Sequence, residues 1–227
     1  MTVYKAKIDS FYHGSTLDGD GLRSVVFFSG CNLRCGFCHN PETLFASGTD
    51  YTLEEVLNRL MRYKSYYTRG GVTLSGGEPF LQADFCIKLC EELKNLGISV
   101  IAETNGFIAD ERLISLLDGV RLDVKNQNGE NGEKLISRYK PFLKLCEKHG
   151  TNVNLTNVLI PLVNDGEENA KSLNELKKAF DFCQDFKLLP FRKLCEDKYA
   201  RLNKEFPYKN YSEATKEDID NFYNKLI

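Results

Sequence analysis

The sequence predicts an α/β fold, namely a partial (β/α)6 TIM-like barrel of parallel strands. Six short apolar runs alternate with segments whose apolar residues recur at helical spacing. The runs lack the polar alternation of a solvent-facing sheet, which favours strands buried on both faces and joined by crossover helices. With 227 residues the chain can bury one full core, so we expect a single domain over residues 1–227.

The predicted strands are rich in β-branched and aromatic residues. In order, they cover residues 24–29, 71–75, 99–103, 119–123, 153–160 and 186–191. The predicted helices lie between them, at residues 53–68, 83–96, 110–117, 133–148 and 170–180. A last helix is expected to open at Thr215 and to brace the C-terminal end. Thr52 and Glu55 have the spacing of a capping box, and Gly97 and Gly150 stand where C′ glycines end helices.

Charge and hydropathy exclude several classes of protein. The formal net charge is −2 and no long Lys/Arg run stands out, so we expect no nucleic-acid partner. The N-terminal segment lacks an apolar signal region, and no stretch approaches the roughly 18 apolar residues of a membrane span. We therefore expect no membrane association and a cytoplasmic location.

Three of the eight cysteines form a C-x3-C-x2-C loop at Cys31, Cys35 and Cys38. A closed iron–sulfur site takes four thiolates, so three would leave one iron of a four-iron cluster open for substrate. An open metal position is typical of catalytic sites. The alternative is a Cys3His zinc site completed by His39, although adjacent Cys38 and His39 cannot easily both face one tetrahedral ion.

The other five cysteines show no metal-binding spacing. They are Cys86, Cys90, Cys146, Cys183 and Cys195. Disulfides are rare in a reducing compartment. We expect these residues to be buried or half-buried free thiols.

Polar clusters follow the first four predicted strands. The cysteine loop follows the first strand, and residues 75–78, 103–105 and 123–125 follow the next three. Parallel α/β sheets bind ligands beyond the carboxyl ends of their strands. The sequence therefore predicts one site at the mouth of the barrel.

Three segments carry a resemblance to a known family. They are Asp-Gly-Asp-Gly-Leu-Arg at 18–23, the cysteine loop with His-Asn-Pro-Glu-Thr at 39–43, and Thr-Leu-Ser-Gly-Gly-Glu-Pro at 73–79. Together they resemble the radical S-adenosylmethionine superfamily, and within it the glycyl-radical-enzyme activating enzymes of the pyruvate formate-lyase type. The likeness is strong from about residue 5 to residue 125.

The resemblance implies an oxidoreductase. A 4Fe–4S cluster would cleave S-adenosylmethionine reductively, and the 5′-deoxyadenosyl radical would abstract hydrogen from a backbone glycine of a partner glycyl-radical enzyme. Flavodoxin or ferredoxin would supply the electron.

The resemblance also assigns residues to roles. The cluster ligands, and thus the catalytic residues, would be Cys31, Cys35 and Cys38. The S-adenosylmethionine contacts would be Phe37, His39, Gly76, Gly77, Glu78, Asn105, Asp123, Lys125 and Arg192. A monovalent cation would sit at Glu103, Thr104 and Asp123, and the substrate glycine would lie near Asp18 and Arg23, which are expected to face a lateral opening of the barrel.

This chain departs from the family pattern at five positions. Asp20 stands where the family has proline, Glu103 where it has aspartate, Thr156 where it has arginine, Phe191 where it has tyrosine, and Arg192 where it has histidine. The cofactor-binding motifs match the family pattern, whereas the parts that would face the partner differ from it. The sequence therefore does not identify the client enzyme.

Other functions fit part of the pattern. Within the radical class, the alternatives are an activase of anaerobic ribonucleotide reductase and a small-molecule enzyme such as a carboxy-deazaguanine synthase. The alternative from another class is a non-catalytic cluster or zinc protein that serves as a binding module.

Overall fold

The structure, a computed structural model, describes residues 3–45 and 47–226. Its strands are β1 (Lys5–Ser15), β2 (Arg23–Phe28), β3 (Thr49–Thr52), β4 (Gly71–Gly76), β5 (Ser99–Thr104), β6 (Gly119–Asp123), β7 (Asn152–Leu159) and β8 (Gln184–Pro190). Its α-helices are α1 (Leu53–Met61), α2 (Ala83–Asn95), α3 (Glu111–Leu116), α4 (Gly132–His149), α5 (Glu167–Ala179), α6 (Glu196–Arg201) and α7 (Lys216–Tyr223). Within these ranges, every helix is too short or too polar to cross a bilayer.

All six predicted strands are present, as β2 and β4 to β8. They pair in parallel in the order β2-β4-β5-β6-β7-β8. Helices α2, α3, α4 and α5 connect β4 to β8 in turn. In the part of the chain that the structure describes, β8 pairs with β7 alone and ends the sheet. The predicted partial barrel is confirmed, and the Tyr223 hydroxyl of α7 accepts from the Leu188 N–H of β8 at 2.9 Å.

Two further strands, which the sequence analysis missed, extend the opposite edge. β1 pairs antiparallel with both β2 and β3, so the complete order is β3-β1-β2-β4-β5-β6-β7-β8. In β1, Ala6 and Ile8 are buried while neighbouring residues are partly exposed. A strand buried on one face alternates polar and apolar residues, and it therefore escapes a search for continuous apolar runs.

The predicted helix at 53–68 is wrong in its second half. α1 ends at Met61, and a 3-10 helix follows at Lys64–Arg69. The Tyr67 hydroxyl, buried beneath this turn, donates to the Leu60 carbonyl at 3.0 Å. The same carbonyl also accepts from the Tyr63 N–H at 2.9 Å, an i to i+3 bond that tightens the last turn of α1.

The predicted capping residues are confirmed. Thr52 and Glu55 form the capping box, whose reciprocal hydrogen bonds satisfy two backbone N–H groups at the start of α1. Gly97 and Gly150 have φ values of 69° and 65°, as C′ glycines require. Thr215 caps α7 by a second capping box, while α6 was not predicted.

Two apolar clusters organise the interior. The large one fills the space between the sheet and its helices. The small one consists of Phe37, Ile160, Phe191, Cys195, Tyr199 and Phe206, and it packs the C-terminal segment against the cysteine loop. The five cysteines outside that loop are buried free thiols, as expected.

Candidate active site

A cavity of about 420 Å³ lies at the carboxyl ends of the parallel strands. Twelve of the predicted site residues line it: Cys31, Cys35, Phe37, Cys38, His39, Gly76, Gly77, Glu103, Thr104, Asn105, Asp123 and Lys125. Val158 of β7 and Leu189 of β8 complete the wall. The four strand-end clusters therefore meet, as the parallel topology predicted.

The three loop cysteines face this cavity as half-buried thiols. Burial raises the pKa of Cys38 to about 11, and burial likewise raises the pKa values of Cys31 and Cys35. Iron must therefore displace protons when it binds. Among the described residues, no three Cys, His, Asp or Glu side chains converge closely enough to hold a single ion. Three thiols spread around one cavity fit a cluster of several irons better than one tetrahedral zinc.

The loop after β4 lies directly against the cysteine loop. The Gly77 N–H donates to the Phe28 carbonyl and the Glu78 N–H to the Gly30 carbonyl, both at 2.8 Å. A Cβ on Gly77 would come within 2.0 Å of the Gly30 oxygen, and a Cβ on Gly76 within 2.5 Å of the Phe28 backbone. The backbone of the cysteine loop itself thus requires both glycines.

Glu78 lies behind the cavity wall and fastens β4 to β5. Its carboxylate accepts from the N–H groups of Phe80 (3.1 Å) and Asn105 (2.9 Å) and from the Thr104 hydroxyl (2.8 Å). Burial raises the pKa of this carboxyl. The Asn105 amide in turn donates to Asn32 of the cysteine loop at 2.8 Å. Glu78 and Asn105 therefore hold three segments of the cavity wall together.

Asp123 and Lys125 form the charged wall of the cavity. The Lys125 ammonium donates to the Asp123 carboxylate and lies 5.0 Å over the Phe37 ring. Burial opposes the charge on Lys125, but Asp123 and the cysteine sulfurs outweigh it and raise the pKa of the lysine. The second oxygen of Asp123, Oδ1, is buried without a hydrogen-bond partner in residues 3–45 and 47–226. An unpartnered carboxylate oxygen beside a cavity fits a cationic or hydrogen-bond-donating ligand.

Glu103 and Thr104 are occupied by other partners. Glu103 accepts from the Ser75 hydroxyl and from the Arg121 guanidinium, both at 2.7 Å, and burial raises its pKa even so. Thr104 donates to Glu78. Both Glu103 oxygens are thus engaged by this chain, and the pair does not fit the monovalent cation that the resemblance implies.

Comparisons with known proteins show the family of this chain. Residues 17–138 match the family model of the 4Fe–4S single cluster domain. The pyruvate formate-lyase-activating enzyme of Clostridium pasteurianum is 36% identical over 221 residues, which span 93% of this chain and 92% of that protein. The pyruvate formate-lyase 1-activating enzyme of Escherichia coli K12 is 30% identical over 97% of this chain and 98% of its own length. This chain belongs to the glycyl-radical-enzyme activating enzymes.

It is accordingly a radical S-adenosylmethionine activase, with a 4Fe–4S cluster and S-adenosylmethionine as its cofactors. Solved structures support the fold of this activase. A radical SAM methyltransferase from Sphaerobacter thermophilus superposes with a TM-score of 0.59 at 17% identity, covering 97% of this chain and 74% of that one. A domain of a pyruvate-formate lyase-activating enzyme from Bacteroides vulgatus gives 0.50 at 18% identity, covering 69% and 92%.

Asp18 and Arg23 of the activase lie toward the amino ends of the strands, away from the cavity mouth. Arg23, 3% exposed, donates to the Thr73 hydroxyl (2.8 Å) and to the carbonyls of Val72 (2.7 Å) and Ser99 (3.3 Å). Asp18 accepts from Ser15. The expectation that Arg23 faces the lateral opening is wrong, because strand carbonyls hold its guanidinium in the interior.

His39 and Arg192 meet through the backbone. The Nε2 atom of His39 bonds to the Arg192 carbonyl at 2.8 Å, while the Arg192 guanidinium turns away to the carbonyl of Ala214. His39 lines the cavity, but its ring is hydrogen-bonded to the loop that follows β8. The structure therefore brings the Arg192 backbone, and not its side chain, toward the predicted site.

Sequence reasoning missed two residues of this site. Asn32 accepts a hydrogen bond from the Asn105 side-chain amide. The sequence marked Asn32 only by its place inside the cysteine loop. Arg121 pairs with Glu103 and also donates to the Leu17 carbonyl at 2.6 Å. A charged residue in the middle of an otherwise apolar predicted strand was the available signal for Arg121.

Proposed function

We propose that this activase makes a glycyl radical on a backbone glycine of a partner enzyme, with pyruvate formate-lyase as the first client to test. The observation that carries the proposal is the cavity where three thiols, a charged Asp–Lys wall and two glycines meet at the mouth of an open barrel. Pyruvate formate-lyase is chosen because the relatives that match nearly the whole chain are named as its activating enzymes.

Cys31, Cys35 and Cys38 would hold the cluster, each giving one thiolate. When bound and reduced, the cluster supplies the electron that cleaves S-adenosylmethionine to methionine and a 5′-deoxyadenosyl radical. Asp123 and Lys125 would orient the polar end of S-adenosylmethionine. The apolar wall of Phe37, Val158 and Leu189 excludes water around it.

The Asp123–Lys125 pair gives the first prediction. We expect Asp123→Ala and Lys125→Ala each to weaken S-adenosylmethionine binding about tenfold or more, since each removes a charged hydrogen-bonding group from the cavity wall. Calorimetry measures the affinity, and iron analysis should show an unchanged cluster content. Lys144→Ala, which removes an exposed ion pair with Glu147 outside the site, is the matched control. Equal affinity in all four proteins would contradict the placement of the cofactor at this wall.

The edge of the sheet at β8 supports a protein substrate. The parallel strands end at β8, where Leu189 and Pro190 line the cavity and the Tyr223 hydroxyl of α7 bonds to the Leu188 N–H nearer the amino end. We propose the gap beside Leu189 and Pro190 as the lateral entrance. An extended peptide loop can enter such a gap while the rest of the partner stays outside. A small metabolite would not require it.

The second prediction tests the substrate directly. Reduced activase with S-adenosylmethionine is mixed with a partner, or with a peptide of its glycine loop, that carries deuterium on the glycine α-carbon. We expect deuterium in 5′-deoxyadenosine and a glycyl radical in the electron paramagnetic resonance spectrum. Transfer from a ribonucleotide reductase alone would identify that alternative client. Transfer from a free small molecule, and from no glycine, would replace the activase function by small-molecule radical chemistry.

A one-electron carrier such as flavodoxin or ferredoxin is the proposed electron donor. The outer side of the cysteine loop supports this, because the exposed Arg34 and Lys204 both lie over the Phe45 ring, at 4.9 Å and 3.9 Å. Two positive charges beside the cluster loop would attract an acidic carrier.

A further inference from the structure

The turn after β7 holds a leucine in a backbone conformation that leucine disfavours. Leu162 follows Pro161 and has a φ of 63°. The Val163 N–H donates to the Ile160 carbonyl at 3.1 Å, so Leu162 occupies the third position of a β-turn, where positive φ normally selects glycine or asparagine. Its side chain is 93% exposed. The fold therefore gains no burial from a leucine whose backbone is strained.

Buried asparagines fix this turn. The Asn164 side chain accepts from the Ile160 N–H at 2.7 Å and donates to the Val158 carbonyl at 2.9 Å. Asn169 donates to the Asn164 carbonyl at 2.6 Å. Such a network holds the left-handed residue in place, so Leu162 is presented to solvent in one defined position. Strain that the surrounding structure enforces is concentrated at functional sites.

A second exposed leucine lies on the same rim. Leu194, in the loop after β8, is 82% exposed. Val163 and Cys195, the chain neighbours of the two leucines, pack on one small apolar cluster. That cluster also contains Phe37, which lines the cavity. Leu162 and Leu194 thus follow the carboxyl ends of two neighbouring parallel strands, beside the apolar cluster that reaches the cavity.

We propose that Leu162 and Leu194 are an apolar docking contact for the folded surface of the glycyl-radical enzyme that flanks its glycine loop. The inference rests on the proposed function. The partner must cover the rim along β7 and β8 to place a glycine in the cavity. Leu162 and Leu194, on the outer side of that rim, extend the same interface to the partner surface beside the glycine loop. The matching partner surface is apolar, because exposed leucines gain free energy only where apolar atoms cover them.

The test uses Leu162→Asn and Leu194→Ser with a glycyl-radical enzyme that the wild-type activase labels. We expect each variant to raise the KM for the whole partner about tenfold, which is the loss for one leucine that is no longer buried. The KM for a short glycine-loop peptide should stay unchanged, because the peptide does not reach the rim. Leu162→Asn suits the positive φ, so its unfolding temperature should equal or exceed that of the wild type.

Leu96→Ser is the matched control. Leu96 is 46% exposed, and it follows α2 at the opposite, amino end of the strands. Wild-type KM values for the whole partner in both rim variants would overturn the docking contact, as would an equal rise for the peptide. If the wild type labels neither partner nor peptide, the proposed function fails instead.

Discussion

We expect the replacement of Cys31, Cys35 or Cys38 by serine to abolish S-adenosylmethionine cleavage. Each variant removes one of three thiolates, and a 4Fe–4S cluster that already lacks a fourth protein ligand cannot spare another. Changes outside the ligand shell cost metal sites about 10–100-fold, so loss of a ligand should leave less than about 1% of the activity. Iron and sulfide analysis with 5′-deoxyadenosine formation under anaerobic reduction measures both effects.

The other cysteines provide the control for this prediction. Cys86 and Cys90 are fully buried in α2, and Cys146 is fully buried in α4. Their replacement by alanine should lower the free energy of unfolding while iron content per folded protein stays unchanged. Zinc as the sole metal, or a second cluster that depends on these residues, would contradict the single open cluster.

The sequence predicted the parallel part of the fold because each parallel strand coincides with a continuous apolar run. Each of the six runs became a strand within about two residues, since buried parallel strands need apolar residues on both faces. β1 was missed because its two buried apolar residues, Ala6 and Ile8, alternate with polar ones. The 3-10 helix at Lys64–Arg69 was missed because the burial of Tyr67, whose hydroxyl bonds to Ser24 of β2, depends on a strand far away in sequence.

The candidate site, like the fold, could be predicted from the sequence only in part. Topology brings the carboxyl ends of parallel strands together, so the meeting of Cys31, Gly77, Asn105 and Lys125 at one cavity follows from their order in the sequence. The direction in which each side chain points does not follow from that order. Arg23 could not be placed from its motif, because its position depends on the carbonyls of strands far away in sequence.

The neighbours of Glu103 show the same limit. Its partner Arg121 lies 18 residues away, and only the register of β5 against β6, which pairs these two residues, makes the contact evident. The longer side chain at this position therefore reaches a guanidinium of the same chain. Strand order fixes which residues meet, while register and rotamer decide what they bind.

Gly77→Ala should be strongly damaging although Gly77 ligates no metal. A Cβ at this position would lie 2.0 Å from the Gly30 oxygen and 2.8 Å from the Thr43 oxygen. Both are backbone atoms, so the cysteine loop and the β4 loop must separate and lose their mutual hydrogen bonds. We expect a loss of about 3 kcal/mol in the free energy of unfolding, at the upper end for overpacking, and a fall of about 6–12 °C in unfolding temperature.

Because the displaced segment begins one residue before Cys31, the same substitution should also reduce cluster loading. Gly119→Ala is the matched control, since its Cβ would make only ordinary contacts, the shortest at 3.5 Å, at the amino end of β6. It should change the free energy of unfolding by less than about 1 kcal/mol and leave iron content intact. A Gly77→Ala protein with wild-type unfolding temperature and full iron content would show that the two loops are not in the close contact from which the open cluster site is built.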